Sequence, residues 1–127
     1  MIKYLTSALG TPSGATKTSM GAISVPAGSK QIRGVWAYVS GPGLTTLECV
    51  SGKFNLESSD LPAIQPCEIP IAVTNVVTSG APAYEVKVWP LDTDVPAGSA
   101  ISITGYITLD MALSVAETGR WGLAVEV

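Results

Sequence analysis

Between Ile101 and Leu109 the chain reads ISITGYITL, with Ile101, Ile103, Gly105, Ile107 and Leu109 interleaved by Ser102, Thr104, Tyr106 and Thr108. A helix would scatter those apolar residues around its axis, whereas an extended strand, whose side chains alternate between two faces, gathers them on one. The stretch therefore predicts a half-buried strand. Such a strand must be covered by a second layer, so the chain needs more than one sheet or a sheet closed on itself.

The same period recurs. Ile69, Ile71, Val73 and Val77 alternate with Pro70, Ala72, Thr74 and Thr78, broken at Asn75 and Val76, while Val86 and Val88 alternate with Glu85, Lys87 and Trp89. Strands are also expected at 17–25, 32–39, 44–50, 52–57 and 119–127, the last with Trp121, Leu123, Val125 and Val127 on one face. Turn-forming stretches at 41–43, 58–60, 79–82, 90–98 and 117–119 separate them. Two segments fit a different period: Ile2, Leu5 and Leu9 are spaced for one or two helical turns, and Asp110 is placed to N-cap a short helix ending before Gly119.

About eight strands in 127 residues make one all-β domain that must manage its sheet edges by folding on itself. The expected architecture is a two-sheet antiparallel β-sandwich of jelly-roll type over residues 17–127, preceded by an N-terminal arm or edge segment, 1–16. An immunoglobulin-like sandwich is the second choice.

Five residues, VPAGS, occur at 25–29 and again at 95–99. The match does not extend over a repeat unit, so it reads as a local way of launching a strand: Pro fixes φ, and Ala-Gly-Ser lets the backbone turn. The two copies lead into different strands. After Ser99 comes the one-sided strand above; after Ser29, Ile32, Trp36 and Tyr38 oppose Val35, Ala37 and Val39, apolar on both faces. A strand of that kind in a two-layer fold calls for cover from a loop, from the N-terminal arm or from another subunit. Ile32, Val35, Trp36, Tyr38 and Val39, together with Trp89, are therefore the candidate interface residues.

Composition supports covered surface. Charged residues are only 13% of the chain and the hydrophobic set is 46%, yet no apolar run is long enough to span a bilayer. Burial against partners is one way to hide such a surface; a neutral, hydroxyl-rich exterior is the other. A net charge of −3 and seven scattered basic residues argue against a nucleic-acid-binding surface, so no direct nucleic-acid partner is expected. The first twenty residues lack the continuous apolar core of a secretion signal, which fits synthesis in a cytoplasm.

Catalytic chemistry finds few residues to work with. There is no histidine, which removes Ser-His-Asp and Cys-His arrangements and the common zinc sites. Gly52-Lys53 lacks the rest of a phosphate loop and reads as a turn. Glu48 and Glu57 would make a carboxylate pair only if a short turn between two strands brought them together, and Asp92 and Asp94 read as turn formers without the other ligands of a calcium loop. Trp89, on the polar face of its expected strand, is the best candidate for stacking on a carbohydrate, with Tyr106 beside it in a carbohydrate- or protein-binding module; its rivals are an intersubunit contact and packing under the neighbouring proline-containing loop. Cys49 and Cys67 either pair across neighbouring strands or remain packed thiols, the state that cytoplasmic synthesis favours. No enzyme activity, metal or cofactor is expected.

In strand count, in the VPAGS strand starts, in IPIAVTNVV (69–77) and in WPLDTDVPAGSAISITGYITLD (89–110), the chain resembles small single-jelly-roll virion proteins: shell subunits, or the decoration and spike proteins attached to shells. The resemblance is one of strand pattern and transfers no site residues. It implies a non-enzymatic subunit in a symmetric assembly, with copies of itself or other shell proteins as partners, located in the virion after synthesis in the host cytoplasm. The chain lacks the basic N-terminal arm of RNA-virus shell subunits, so no genome contact is implied.

Overall fold

The computed structural model describes residues 1–13, 15–39, 48–61, 64, 67–75, 88–96, 98–110 and 118–127, of which 48–50, 67 and 72–75 are described by their backbone. The described residues form eight strands: β1 (Ile2–Thr6), β2 (Thr18–Val25), β3 (Gln31–Val39), β4 (Glu48–Glu57), β5 (Cys67–Asn75), β6 (Trp89–Asp94), β7 (Ile101–Leu109) and β8 (Gly119–Glu126). Their antiparallel pairing is nested: β1 with β8, β2 with β7, β3 with β6 and β4 with β5. The chain thus runs out and returns alongside itself as one long hairpin. Two further pairings, β3 with β8 and β4 with β7, roll that ribbon into two sheets, ordered β1-β8-β3-β6 and β2-β7-β4-β5. This is a jelly-roll sandwich.

Nested pairing explains the repeated pentapeptide. β2 and β7 share one sheet and β3 and β6 the other, so the segments joining β2 to β3 and β6 to β7 carry a two-stranded ribbon from sheet to sheet side by side. VPAGS is that corner, used once by each strand. Val25 pairs with Ile101 just before the first corner and just after the second, and the Val95 N–H donates to the Lys30 carbonyl at 3.0 Å. Both valines are buried, both glycines have positive φ (Gly28 88°, Gly98 104°), and Ser29 closes its turn by donating from N–H and Oγ to the Pro26 carbonyl. Gly tolerates that backbone region at no steric cost.

Between the sheets lies a core formed by alternate residues of each strand. Ile32, Val35, Ala37, Val39, Trp121, Leu123 and Val125 come from one sheet; Met20, Ile23, Val25, Phe54, Leu56, Ile69, Ile101, Ile103, Ile107 and Leu109 come from the other. Each large side chain buried this way contributes about 1.5–3 kcal/mol. Trp121 joins the two layers. A bulge between Ser19 and Ala22, with Gly21 at φ 88°, interrupts the β2 ladder, and the Met20 carbonyl accepts from the Trp121 indole N–H at 3.2 Å. The indole also packs on Phe54, centroids 5.5 Å apart and planes tilted by 44°.

Four local expectations are corrected. The helical spacing at the N-terminus is instead the edge strand β1, continued past Thr6 by Ser7, whose N–H donates to the Trp121 carbonyl at 2.9 Å while its Oγ accepts from the Trp121 N–H. Gly52-Lys53 is no turn: β4 runs straight through it, and Gly is required because a Cβ at 52 would lie 2.8 Å from the Leu109 Cα on β7. Residues 90–94 form strand rather than turn, with Trp89, Leu91 and Thr93 half-buried and Pro90, Asp92 and Asp94 exposed. Finally, the β3 register shifts between Ile32 and Gly34, which moves Ile32 to the core side with Val35, Ala37 and Val39. The expected segment 85–87 and the expected helix after Asp110 lie outside the described residues.

Candidate interaction surface

Each sheet has one face in the core and one facing outward, and the two outward faces differ in chemistry. On the β2-β7-β4-β5 sheet the outward side chains, among those described, include Ser19, Ala22, Ser24, Ser102, Thr104, Tyr106, Thr108, Ser51, Lys53, Asn55, Glu57, Glu68 and Pro70. Among its described side chains, Lys17 pairs with Glu57 and Lys53 with Glu68 at 3.7 Å, while Asn55 donates to Glu68 at 3.1 Å. Lys17 also sits 4.6 Å from the centre of the Tyr106 ring. This is a hydrated, self-satisfied surface.

On the β1-β8-β3-β6 sheet, alternation places Ile2 and Tyr4 of β1, Gly122 and Ala124 of β8, Gly34, Trp36 and Tyr38 of β3, and Val88 and Pro90 of the fourth strand on the outer side. Trp36 and Tyr38 stack along β3, ring centroids 6.1 Å apart and planes within 12°. The floor beneath them is small. A Cβ at Gly122 would overlap the Trp36 ring and come within 2.5 Å of the Leu5 carbonyl, and one at Gly34 would lie 2.7 Å from Val88 Cγ1. So Trp36 lies flat across β8 and Val88 folds over β3. Tyr4 remains 66% exposed, Val88 48% and Ile2 41%, an unusual concentration of large apolar side chains on one face.

Charge on this face lies at its two ends. Arg33, at the β3 bulge, donates to Asp92 at 2.7 Å and Glu126 at 3.3 Å, and Gln31 donates to Asp94 at 2.6 Å, tying β3 to both neighbours. The hydrogen bond to Asp92 is the main reason the Arg33 guanidinium is held above its ordinary pKa. At the other end, beside Tyr38, Arg120 has its Nε buried with no hydrogen-bond partner, alone in that respect among the described side chains.

The candidate interface residues therefore divide. Trp36 and Tyr38 are half-buried on the outer face, whereas Ile32, Val35 and Val39 are fully enclosed in the core, where no neighbour can reach them. Trp89 also turns inward: it pairs with Val35 and packs against the core rather than standing on a polar face as a stacking platform. Tyr4, Ile2 and Val88 escape sequence reasoning as surface residues because the N-terminus carries a helical spacing and the strand around Trp89 shows the opposite parity. The one available signal is Tyr4 itself, an aromatic residue within a short apolar run.

The chemical candidates are not assembled. Glu48 and Glu57 occupy opposite ends of the single strand β4, about 30 Å apart along it at ~3.3 Å per residue. Asp92 and Asp94 engage Arg33 and Gln31. Among the described residues, no group of three or more Cys, Asp or Glu converges as a metal site would require. No helix of the described residues is long and apolar enough to cross a membrane.

No protein-family model matches the sequence, and no curated protein matches it. Among solved structures, a chain from the structure of infectious bursal disease virus, Gx strain, is similar over 98% of this chain at 14% sequence identity and a TM-score of 0.45. The present chain spans 31% of that chain's length.

Proposed function

We propose that this chain is a non-enzymatic structural subunit that self-associates, building a virion shell or decorating one. The observation that carries the reading is the set of large apolar side chains on one outer face: Tyr4, Ile2, Val88 and Trp36 stand over a floor of Gly34, Gly122 and Ala124, whereas the other outer face is mostly hydroxylic and charged. Apolar side chains gathered on one face of a sparsely charged domain favour a partner, and few charges keep the desolvation cost of covering them low. Closed symmetry would hide that surface without open-ended aggregation. The virion setting rests on the likeness of the strand pattern to single-jelly-roll virion proteins, and with it the synthesis in a host cytoplasm and the other shell proteins as possible partners.

Native mass measurement with electron microscopy of the purified protein tests this reading. A defined oligomer or larger particle is expected. A monomer at every concentration up to hundreds of micromolar overturns self-association.

A further inference from the structure

A sandwich of two four-stranded sheets leaves four open edges, each a template for pairing with another strand. In this fold they are β1 and β6 on one sheet and β2 and β5 on the other. Three carry a device that blocks pairing. β6 has Pro90 and β5 has Pro70, residues with no N–H to offer a new strand, and β2 is bent by the bulge at Gly21. β1, IKYLT, has neither proline nor bulge; its guards are its five-residue length and Lys3, which leave its backbone donors and acceptors uninterrupted.

The parity of β1 fixes which of its groups are open. The Val127 N–H donates to the Met1 carbonyl at 3.0 Å and the Ser7 N–H donates to the Trp121 carbonyl at 2.9 Å, so the odd-numbered residues turn their backbone groups toward β8. In an antiparallel ladder the alternate residues must then face the other way. Ile2, Tyr4 and Thr6 present their N–H and C=O groups to the free edge, with Ile2 and Tyr4 side chains exposed beside them.

The geometry points to β1 as the contact between two copies of this chain, paired antiparallel with itself across a two-fold axis through Tyr4. This rests on the self-association proposed above and names its surface. In that register Tyr4 faces Tyr4 of the partner subunit, Ile2 faces Thr6 of the partner subunit, and the open groups of all three residues are matched by about six hydrogen bonds. Lys3 falls opposite Leu5 of the partner subunit, so the two ammonium groups are not placed face to face. The two β1-β8-β3-β6 sheets become one sheet of eight strands, and their aromatic outer faces merge into one continuous surface. No other described edge offers uninterrupted donors and acceptors together with exposed apolar side chains.

Two variants test it. Because the Tyr4 N–H faces outward, Tyr4→Pro removes a donor from the free edge while sparing the ladder to β8. With wild-type protein oligomeric, Tyr4→Pro is expected to weaken association roughly tenfold or more, read by native mass across a dilution series, with its melting transition at low concentration close to wild type. Tyr4→Cys places two thiols on the axis at a Cα separation of about 5.5 Å, within disulfide range, so mild oxidation is expected to give a covalent dimer. Lys3→Cys and wild type are expected to give none, which controls for the native cysteines. Retention of wild-type mass by Tyr4→Pro together with no Tyr4→Cys cross-link overturns the β1 contact while leaving self-association standing. A wild-type chain that is monomeric at every concentration overturns self-association itself.

Discussion

The indole of Trp36 lies across the backbone of Gly122, so that a Cβ at 122 would overlap the ring. The two residues are register partners on β3 and β8. A tryptophan on the outside of a sheet ordinarily projects from it, but here the missing side chain opposite lets the ring lie down and cover the neighbouring strand. Ala124, one pleat along β8 on the same outer face, is only 5% exposed. The outer face is therefore partly dry before any partner arrives, and the remaining large exposed side chains stand around a flat centre.

Gly122→Ala is expected to displace the Trp36 ring and to destabilise the fold by about 1–3 kcal/mol, the usual range for overpacking a filled site. Denaturant titration measures the loss, and tryptophan emission should shift to longer wavelength as the ring becomes more hydrated. A variant of wild-type stability and emission would mean that Trp36 does not rest on Gly122.

Gly105 plays the corresponding part inside the sandwich. A Cβ there would lie 2.5 Å from Phe54 Cζ and 2.8 Å from Trp121 Cε2, and Trp121 is held by its hydrogen bond to the Met20 carbonyl. With no direction in which to yield, the core should resist Gly105→Ala more than the surface resists Gly122→Ala. A loss near the upper end of the overpacking range, about 3 kcal/mol, is expected by denaturant titration. A smaller loss than that of Gly122→Ala would show that the Trp121 and Phe54 pair can shift.

At the two sheet-crossing corners the constraint is conformational only. Nothing lies within 4 Å of a Cβ built on Gly28 or Gly98, yet both have φ in the left-handed region. Gly28→Ala and Gly98→Ala are each expected to cost roughly 1–2 kcal/mol, and to cost similar amounts because the corners are two uses of one turn. Melting of the two variants side by side checks this. Unequal losses would separate the copies of VPAGS in role as well as in position.

The alternating pattern makes β7 and β8 legible, and a repeated pentapeptide marks both corners, because those signals are local and survive without knowledge of the fold. The features hidden in the sequence are those decided by neighbours. Gly52 reads as a turn residue until β7 is seen pressing against it, and Trp-Pro-Leu-Asp-Thr-Asp reads as a loop until an edge position makes Pro90 harmless and leaves the aspartates facing solvent. Ile32 changes face through a one-residue register shift beside Arg33, which period-two counting cannot detect. The surface is half legible for the same reason: Trp36 and Tyr38 both follow the shift and share a face as their spacing implies, while Ile32 precedes it and ends on the opposite side. Tyr4 depends on recognising β1, whose five residues are too few to establish a period against the competing helical spacing.

The pairing of β4 with β5 decides the fate of the cysteines. Cys49 is the register partner of Thr74, and Cys67 that of Leu56, so the two positions lie seven residues apart along one ladder. At ~3.3 Å per residue this is about 23 Å, whereas a disulfide requires Cα atoms within about 7 Å. An intrachain bridge would require β5 to slip by seven residues, an odd number that would also turn its apolar face away from the core. The protein is therefore expected to contain two free thiols: thiol titration in denaturant without reductant should count two per chain, and monomer mobility should be identical with and without reducing agent. A count of zero together with a faster non-reduced band would require a different β4 to β5 register, and with it a different packing of Phe54, Leu56 and Ile69.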